Sequence, residues 1–218
     1  MHAACCGFFG KIPARGDFVR AGLSNGFIAA WDGWLQFVIP VSRELLGEDW
    51  VAAWLEAPIW RFALAGGVCG GDAVLGLWMP SVDRAGRHFP LTLAATVPEA
   101  EVASLVRNGA GWLDAAEQAG LDAVTADALP EQLAAALLAA PIPSAVLGME
   151  AASASGSSSP SAWGDRARVD GSAVGPDAVS RWWTEGAPRV APRALDMAGL
   201  PDGIAFAGML DDRIGGAP

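Results

Sequence analysis

The chain has 218 residues, of which 52 % are apolar, and its formal net charge at pH 7 is −10. Ten tryptophans and eight phenylalanines supply enough apolar area for a packed core, so a globular fold is expected. The charge excludes a globally basic protein that binds nucleic acid or an anionic membrane, although a local cluster of arginines is compatible with it. No apolar run reaches about 18 residues, so no membrane-spanning helix is expected.

Cysteine usage and the first residues indicate the compartment. Cys5 and Cys6 are adjacent, and with Cys69 the total is three, which does not make a disulfide framework. The opening MHAACCGFF lacks a basic leader followed by a long apolar stretch, so no secretory signal is expected. These features predict a protein of the reducing cytoplasm.

The first elements in chain order are a short strand and a helix. Residues 7–12 alternate loosely and predict a strand that Pro13 closes. Ser24 or Asn25 can cap a helix whose apolar side chains recur with the 3.6-residue period. Pro40 is expected to break or kink that helix.

A second helix and three strands follow. Apolar residues at 45–55 predict a helix that Pro58 stops. The period then changes, and the segments 59–65, 73–79 and 89–97 read as strands separated by glycine pairs and a turn. Their closeness in sequence predicts an antiparallel meander.

The second half of the chain mixes helices, a loop and a last strand. Helices are predicted at 99–119 and 130–140, and a strand is possible at 144–149. Residues 151–162 form a low-complexity segment that predicts a flexible loop rich in Ser, Gly and Ala. The run VSRWWT, at 179–184, predicts a further strand.

Together these elements predict an α/β (α+β) fold, in which a central, mostly antiparallel sheet is flanked by helices in a single compact domain. Residues 1–150 form the main domain, and 151–162 form the flexible loop. The portion 163–218 is too small and too rich in proline for an independent core, so we expect it to dock on the core of the main domain.

The segment CGFFGKIPARGDFVR contains two misleading motifs. GFFGK resembles a phosphate-binding loop, but Lys11 is followed by Ile12 and Pro13 rather than by the Ser or Thr that holds magnesium. Arg15-Gly16-Asp17 spells an adhesion tripeptide, yet nothing else indicates an extracellular protein. Phe8, Phe9 and Phe18 are expected in the core, with the charges outside.

Several motifs of the chain, taken in order, resemble the TagF family. They are GFFGKIPARGDFVR (7–20), WDGWL (31–35), WRFAL (60–64), PSVDRAGRHFPL (80–91), SRWWT (180–184), GLP (199–201) and FAGML (206–210). The resemblance covers nearly the whole chain, so that residues 1–150 are the TagF-like main domain. Members of this family are accessory proteins of bacterial type VI secretion systems.

The resemblance implies a non-enzymatic cytoplasmic regulator. TagF-like proteins repress type VI secretion post-translationally, alongside a threonine kinase and phosphatase pathway. The implied partner is the forkhead-associated scaffold protein of that system, whose sequestration would block assembly of the apparatus. Neither a cofactor nor nucleic acid nor direct membrane insertion is implied.

The residues themselves indicate a charged candidate surface. Asp83, Arg84 and Arg87 lie in a turn between two predicted strands, where Gly86 supplies a left-handed backbone conformation. If this turn lies near the end of the first strand, Asp17 can accept a bidentate bond from Arg84 or Arg87. Such a pair can fix the two loops against each other, or the loops can bind a partner, and the two roles are compatible.

Two further sets of residues belong to this hypothesis. The cations left over, Lys11 and Arg15, are expected to face an acidic or phosphorylated partner. Trp182 and Trp183 are adjacent on a strand and therefore face opposite sides, so that one is core and the other can be an exposed interface anchor.

Two alternatives remain open from sequence alone. The first is a hydrolase or phosphotransferase that uses Ser81, Asp83 and His88, because a nucleophile beside a base is what such an enzyme needs. The second is a small-ligand sensor built on the glycine-rich segment Gly66 to Gly71. A metal site is poorly served, since the cysteines and histidines lack ligand spacing.

Overall fold

A seven-stranded antiparallel sheet forms the middle layer of the protein. The computed structural model describes residues 5–98, 110–126, 128–140 and 179–215. The order across the sheet is β2-β1-β5-β4-β3-β6-β7, and each neighbouring pair is antiparallel, as the sequence predicts. The strands are β1 (Cys6–Gly10), β2 (Val19–Ala21), β3 (Trp60–Leu64), β4 (Ala73–Met79), β5 (Leu91–Val97), β6 (Val179–Thr184) and β7 (Arg193–Ala198).

Helices cover both faces of this sheet, which makes a single α+β domain. The helices are α1 (Asn25–Leu46), α2 (Trp50–Leu55), α3 (Ala110–Thr125), α4 (Pro130–Ala139) and α5 (Gly203–Leu210). Because successive side chains of a strand point to opposite faces, the sheet contributes side chains to two separate apolar clusters. One joins its first face to α1, α2 and α5, and the other joins its second face to α3 and α4. None of the helices in the described ranges is both long and apolar enough to cross a membrane.

The first helix continues through its proline. The Ser24 hydroxyl caps α1 by accepting a hydrogen bond from the Phe27 amide at 3.2 Å, as the sequence predicts. The expected break at Pro40 is wrong, since α1 extends to Leu46 and ends at Gly47, where φ is 54°. Pro40 lies on the exposed side, and buried side chains before and after it hold the helix to the sheet.

The last part of the chain completes the same sheet and the same core. Strand β6 pairs with β3, and α5 packs on α1. This part of the chain also provides the hydrogen-bond acceptors of two indoles of the main domain. The Trp34 indole donates to the Pro201 carbonyl at 2.7 Å, and the Trp60 indole donates to the Met209 carbonyl at 2.9 Å. The elements expected at 99–109, 144–149 and 151–162 lie outside the described residues.

Gly10 lets the first strand end against the start of β5. Its φ is 146°, and a Cβ added there would overlap the carbonyl oxygen of Pro90. Gly10→Ala is therefore expected to lower the free energy of unfolding by about 1–3 kcal/mol, from backbone strain and overpacking. Urea denaturation followed by circular dichroism measures this loss.

Gly16 is the matched control for that substitution. A Cβ at Gly16 meets nothing within 4 Å. Gly16→Ala is expected to change the free energy of unfolding by less than about 0.5 kcal/mol. Equal losses in the two variants would contradict a special requirement at Gly10.

Candidate functional site

The sheet topology brings two loops to one end of the molecule. Residues 11–20 leave β1, and residues 81–90 lead into β5, which is the antiparallel neighbour of β1. The end of one strand and the start of the other therefore lie side by side, with Gly10 opposite Leu91. We call residues 11–20 and 81–90 together the loop junction.

Asp83 is the hub of the loop junction. Its side chain is fully buried, and its Oδ2 accepts from Lys11 Nζ at 3.0 Å and from Arg87 Nε at 2.7 Å. Its Oδ1 accepts from the backbone amides of Ala85 and Arg87, each at 2.9 Å. Burial pushes the pKa of Asp83 upward, but the hydrogen bonds from Arg87, Lys11 and Ala85 outweigh it and hold that pKa well below its usual value. Asp83 is therefore ionised and paired at neutral pH.

The turn that carries Asp83 is closed by its own backbone. The Gly86 amide donates to the Asp83 carbonyl at 2.9 Å, and the Asp83 amide donates to the Arg87 carbonyl at 3.1 Å. Gly86 has φ of 77°, the left-handed conformation predicted for it. This geometry aims both arginines of the turn toward the other loop.

Both arginines donate to carbonyls of the first loop. Arg84 donates through its backbone amide to the Arg15 carbonyl at 2.9 Å and through Nη2 to the Ala14 carbonyl at 2.6 Å. Arg87 Nη2 donates to the Gly16 carbonyl at 2.6 Å. Three successive carbonyls are thus satisfied by the turn, which fixes the path of the first loop.

Three sequence-based expectations at the loop junction were wrong. Asp17 is exposed, and within the described residues it forms no bond with Arg84 or Arg87, because the buried Asp83 takes the acceptor role. Lys11 is 7 % exposed and paired, so it is not a cation left over for a partner. Phe18 is not core, since it is 48 % exposed.

Phe18 is nevertheless held in place. Its ring stacks on Phe9, with centroids 5.5 Å apart and planes 7° apart, and lies nearly perpendicular to the Phe89 ring at a centroid distance of 4.7 Å. The ammonium of Lys11 lies 5.1 Å from the centre of the Phe18 ring. The outer face of the loop junction therefore presents a fixed aromatic ring.

The remaining site candidates are placed elsewhere or differently. Arg15 is half-buried, and its Nη2 lies 3.8 Å from Glu131 Oε1 on α4. Trp182 and Trp183 point to opposite faces of the sheet, as predicted, with Trp182 in the cluster under α1 and Trp183 half-buried toward α3. Because β3, β4 and β5 separate β6 from β1, neither tryptophan belongs to the loop junction.

The described contacts do not assemble the enzyme alternative. The Ser81 hydroxyl donates to the Lys11 carbonyl at 2.7 Å. The His88 ring lies against the rings of Trp50 and Trp54, and burial together with the charge of Arg43 lowers its pKa. In the part of the chain that the structure describes, no bond joins Ser81 to His88, and no group of three or more His, Cys, Asp or Glu could hold a metal ion.

A second buried carboxylate, Asp211, is one of an acidic pair in a polar segment, a sequence pattern that by itself favours a solvated surface. Asp211 is 2 % exposed and accepts from Arg213 Nη2 at 2.8 Å and from Arg189 Nη1 at 3.0 Å. Hydrogen bonds from Arg213 and Arg189 outweigh burial and hold the pKa of Asp211 well below its usual value. The two arginines also reach Asp49 and Glu56, which flank α2, so this network ties the segment around Asp211 to both ends of that helix. Arginines close to the acidic pair in sequence were the available signal that Asp211 is paired.

Comparison with known proteins identifies the class. Residues 7–140 match a family model described as the TagF N-terminal domain, Type VI secretion system-associated. The protein is thus a type VI secretion-associated protein.

The chain belongs to the TagF family, which confirms the resemblance found from its motifs. Among solved structures, it is similar to the crystal structure of PA0076 from Pseudomonas aeruginosa PAO1. The two share 32 % sequence identity over 98 % of this chain and 97 % of that chain, with a TM-score of 0.78. Comparison with curated proteins gives no match.

Proposed function

We propose that this protein is a non-enzymatic, cytoplasmic accessory protein that represses type VI secretion post-translationally by binding a forkhead-associated scaffold protein. Membership of the TagF family over residues 7–140 is the observation that carries the proposal. Binding would sequester the scaffold and block assembly of the secretion apparatus.

The geometry of the loop junction supports action by contact. The Asp83 carboxylate is saturated by Lys11 and Arg87, and the Ser81 hydroxyl is used by a backbone carbonyl. These groups fix a surface, whereas an enzyme would need a nucleophile next to a free base. A rigid surface with aromatic and arginine side chains is typical of protein interfaces.

Binding of the scaffold tests the proposal directly. The purified chain is expected to bind the forkhead-associated scaffold of its own secretion system in isothermal titration calorimetry and in pull-downs. A forkhead-associated domain from an unrelated pathway serves as the control. Lack of binding to the cognate scaffold would refute the proposal.

Repression requires a second experiment, in cells. Deleting the gene is expected to increase type VI-dependent killing of a competitor strain, while the amounts of the secretion proteins stay unchanged. Unchanged amounts are the mark of post-translational control. An altered amount of those proteins that accounts for the change in killing would contradict it.

A further inference from the structure

Four side chains of the loop junction are exposed together with its loops, and we call them the Phe18 face: Phe18, Arg20, Arg84 and Arg87. Arg20 lies opposite Phe9 in the register of β2 and β1, and Phe18 stacks on the same Phe9, so Phe18 and Arg20 share a side of the sheet. Arg84 and Arg87 reach the same loop through the carbonyls of Ala14 and Gly16.

The charge of this face is opposite to that of the molecule. Residues 11–20 and 81–90 hold five of the fourteen basic residues of the chain, against two carboxylates, although the net charge of the chain is −10. One of the two carboxylates, Asp83, is buried and already paired. Outside the two segments, Glu131 on α4 lies 3.8 Å from Arg15. Asp17 is the one exposed acidic residue within these two segments. A local positive surface on an acidic protein attracts an acidic partner segment and disfavours nucleic acid, which the rest of the surface repels.

The two guanidinium groups are held in place but not saturated. Arg87 donates one N–H to Asp83 and one to the Gly16 carbonyl, and its side chain is 63 % exposed. The Arg84 side chain donates one N–H to the Ala14 carbonyl. Within the described residues, Nη1 of each donates no hydrogen bond, and these donors match the geometry of a carboxylate. Because the side chains are already fixed, ordering them on binding costs little.

Phe18 supplies the apolar part of the surface. Its half-exposed ring is clamped by Phe9 and Phe89, so an apolar side chain can pack on it without first ordering it. Buried aromatic and arginine residues side by side are the usual energetic centre of a protein interface.

We propose that the Phe18 face binds an acidic segment of a partner protein, with carboxylates on Arg84 and Arg87 and an apolar side chain on Phe18. That this partner is the forkhead-associated scaffold rests on the proposed function. Arg20 adds attraction at the margin, since its side chain is exposed and forms no hydrogen bond or ion pair within the described residues.

The first arm of the test measures scaffold binding by variants of the full chain. Arg20→Gln and Arg84→Gln are each expected to raise the Kd about three- to tenfold, with a weaker salt dependence than the unaltered chain, and Phe18→Ala about tenfold. Arg181→Gln, which removes the same charge on β6, is the matched control and is expected to change the Kd less than about twofold. Circular dichroism confirms that each variant is folded. Arg20→Gln keeps the test decisive if the others unfold.

The second arm uses a synthetic ten-residue peptide of alternating Glu and Leu at low salt. Amide resonances of residues 16–20 and 83–87 are expected to shift during the titration, and Arg20→Gln is expected to weaken the effect. If the peptide shifts these resonances but the scaffold does not bind, the proposed function fails and the Phe18 face stands. If the scaffold binds all variants equally, or the peptide shifts other residues, the inference about this face is overturned. A dimer of the chain that Arg20→Gln abolishes would also overturn it, by assigning the face to a second copy.

Discussion

Trp182→Ala is expected to lower the free energy of unfolding by about 3–5 kcal/mol, the cost of emptying a large aromatic site in a core. Trp182 is fully buried, and its ring contacts Phe62, Trp34 and Trp31 at centroid distances of 5.2, 5.6 and 6.0 Å. Its indole also donates to the Ser180 hydroxyl at 2.8 Å, which would lose its donor. Urea denaturation followed by circular dichroism measures the loss without relying on tryptophan fluorescence.

The neighbouring residue provides a matched control of the same size. Trp183 points to the other face of the sheet and is only half-buried. Trp183→Ala is expected to cost about 1–2 kcal/mol. A loss as large as that of Trp182→Ala would show that the two faces of β6 are equally packed, against the structure.

Asp83→Asn is expected to destabilise the protein strongly at neutral pH. The substitution keeps the shape of the side chain but leaves the buried ammonium of Lys11 without a counter-charge. Because the folded-state pKa of Asp83 is depressed, its contribution to stability is fully present above the ordinary aspartate pKa of 3.8 and is lost as the pH falls toward the folded-state value. The difference between the unaltered chain and the variant is therefore constant from about pH 7 to pH 5 and shrinks below about pH 4.

Asp17→Asn is the control for this pH dependence. Asp17 belongs to the same junction but is exposed. Its substitution is expected to leave the free energy of unfolding within about 0.5 kcal/mol of the unaltered chain at neutral pH. Urea midpoints measured at several pH values test both variants. A difference for Asp83→Asn that persists undiminished at about pH 3 would contradict the assigned role of its charge.

Local pattern was sufficient for most of the elements, whereas the meeting of the two loops depends on the pairing of β1 with β5, which is not a local feature. Alternation predicted the meander of β3, β4 and β5, and the 3.6-residue period with the Ser24 cap predicted α1. Whether a single charged residue is buried or exposed was not predictable in this way. Asp17 and Asp83 have equally polar neighbours in sequence, and only the strand order decides which of them is buried.

Pro40 and Asp211 show the same limit. The cost of a proline inside a helix, about 3 kcal/mol, is set against the packing of α1 on the sheet, and that packing is invisible in a local window. Asp211 is paired with Arg213, two residues further along the chain, and with Arg189 from the loop between β6 and β7. Partners distant in sequence therefore account for the continuous helix at Pro40 and, through Arg189, for part of the pairing of Asp211.

The pairing of β6 with β3 determines how much of the chain must be present before the sheet is complete. A fragment restricted to residues 7–140 would leave one margin of β3 as a row of open amides and carbonyls, and the indoles of Trp34 and Trp60 without their acceptors. Such a margin recruits other unfinished chains into intermolecular strands. During synthesis on the ribosome, this margin stays unpaired until β6, at Val179–Thr184, has been translated, which makes the nascent polypeptide a natural client of chaperones.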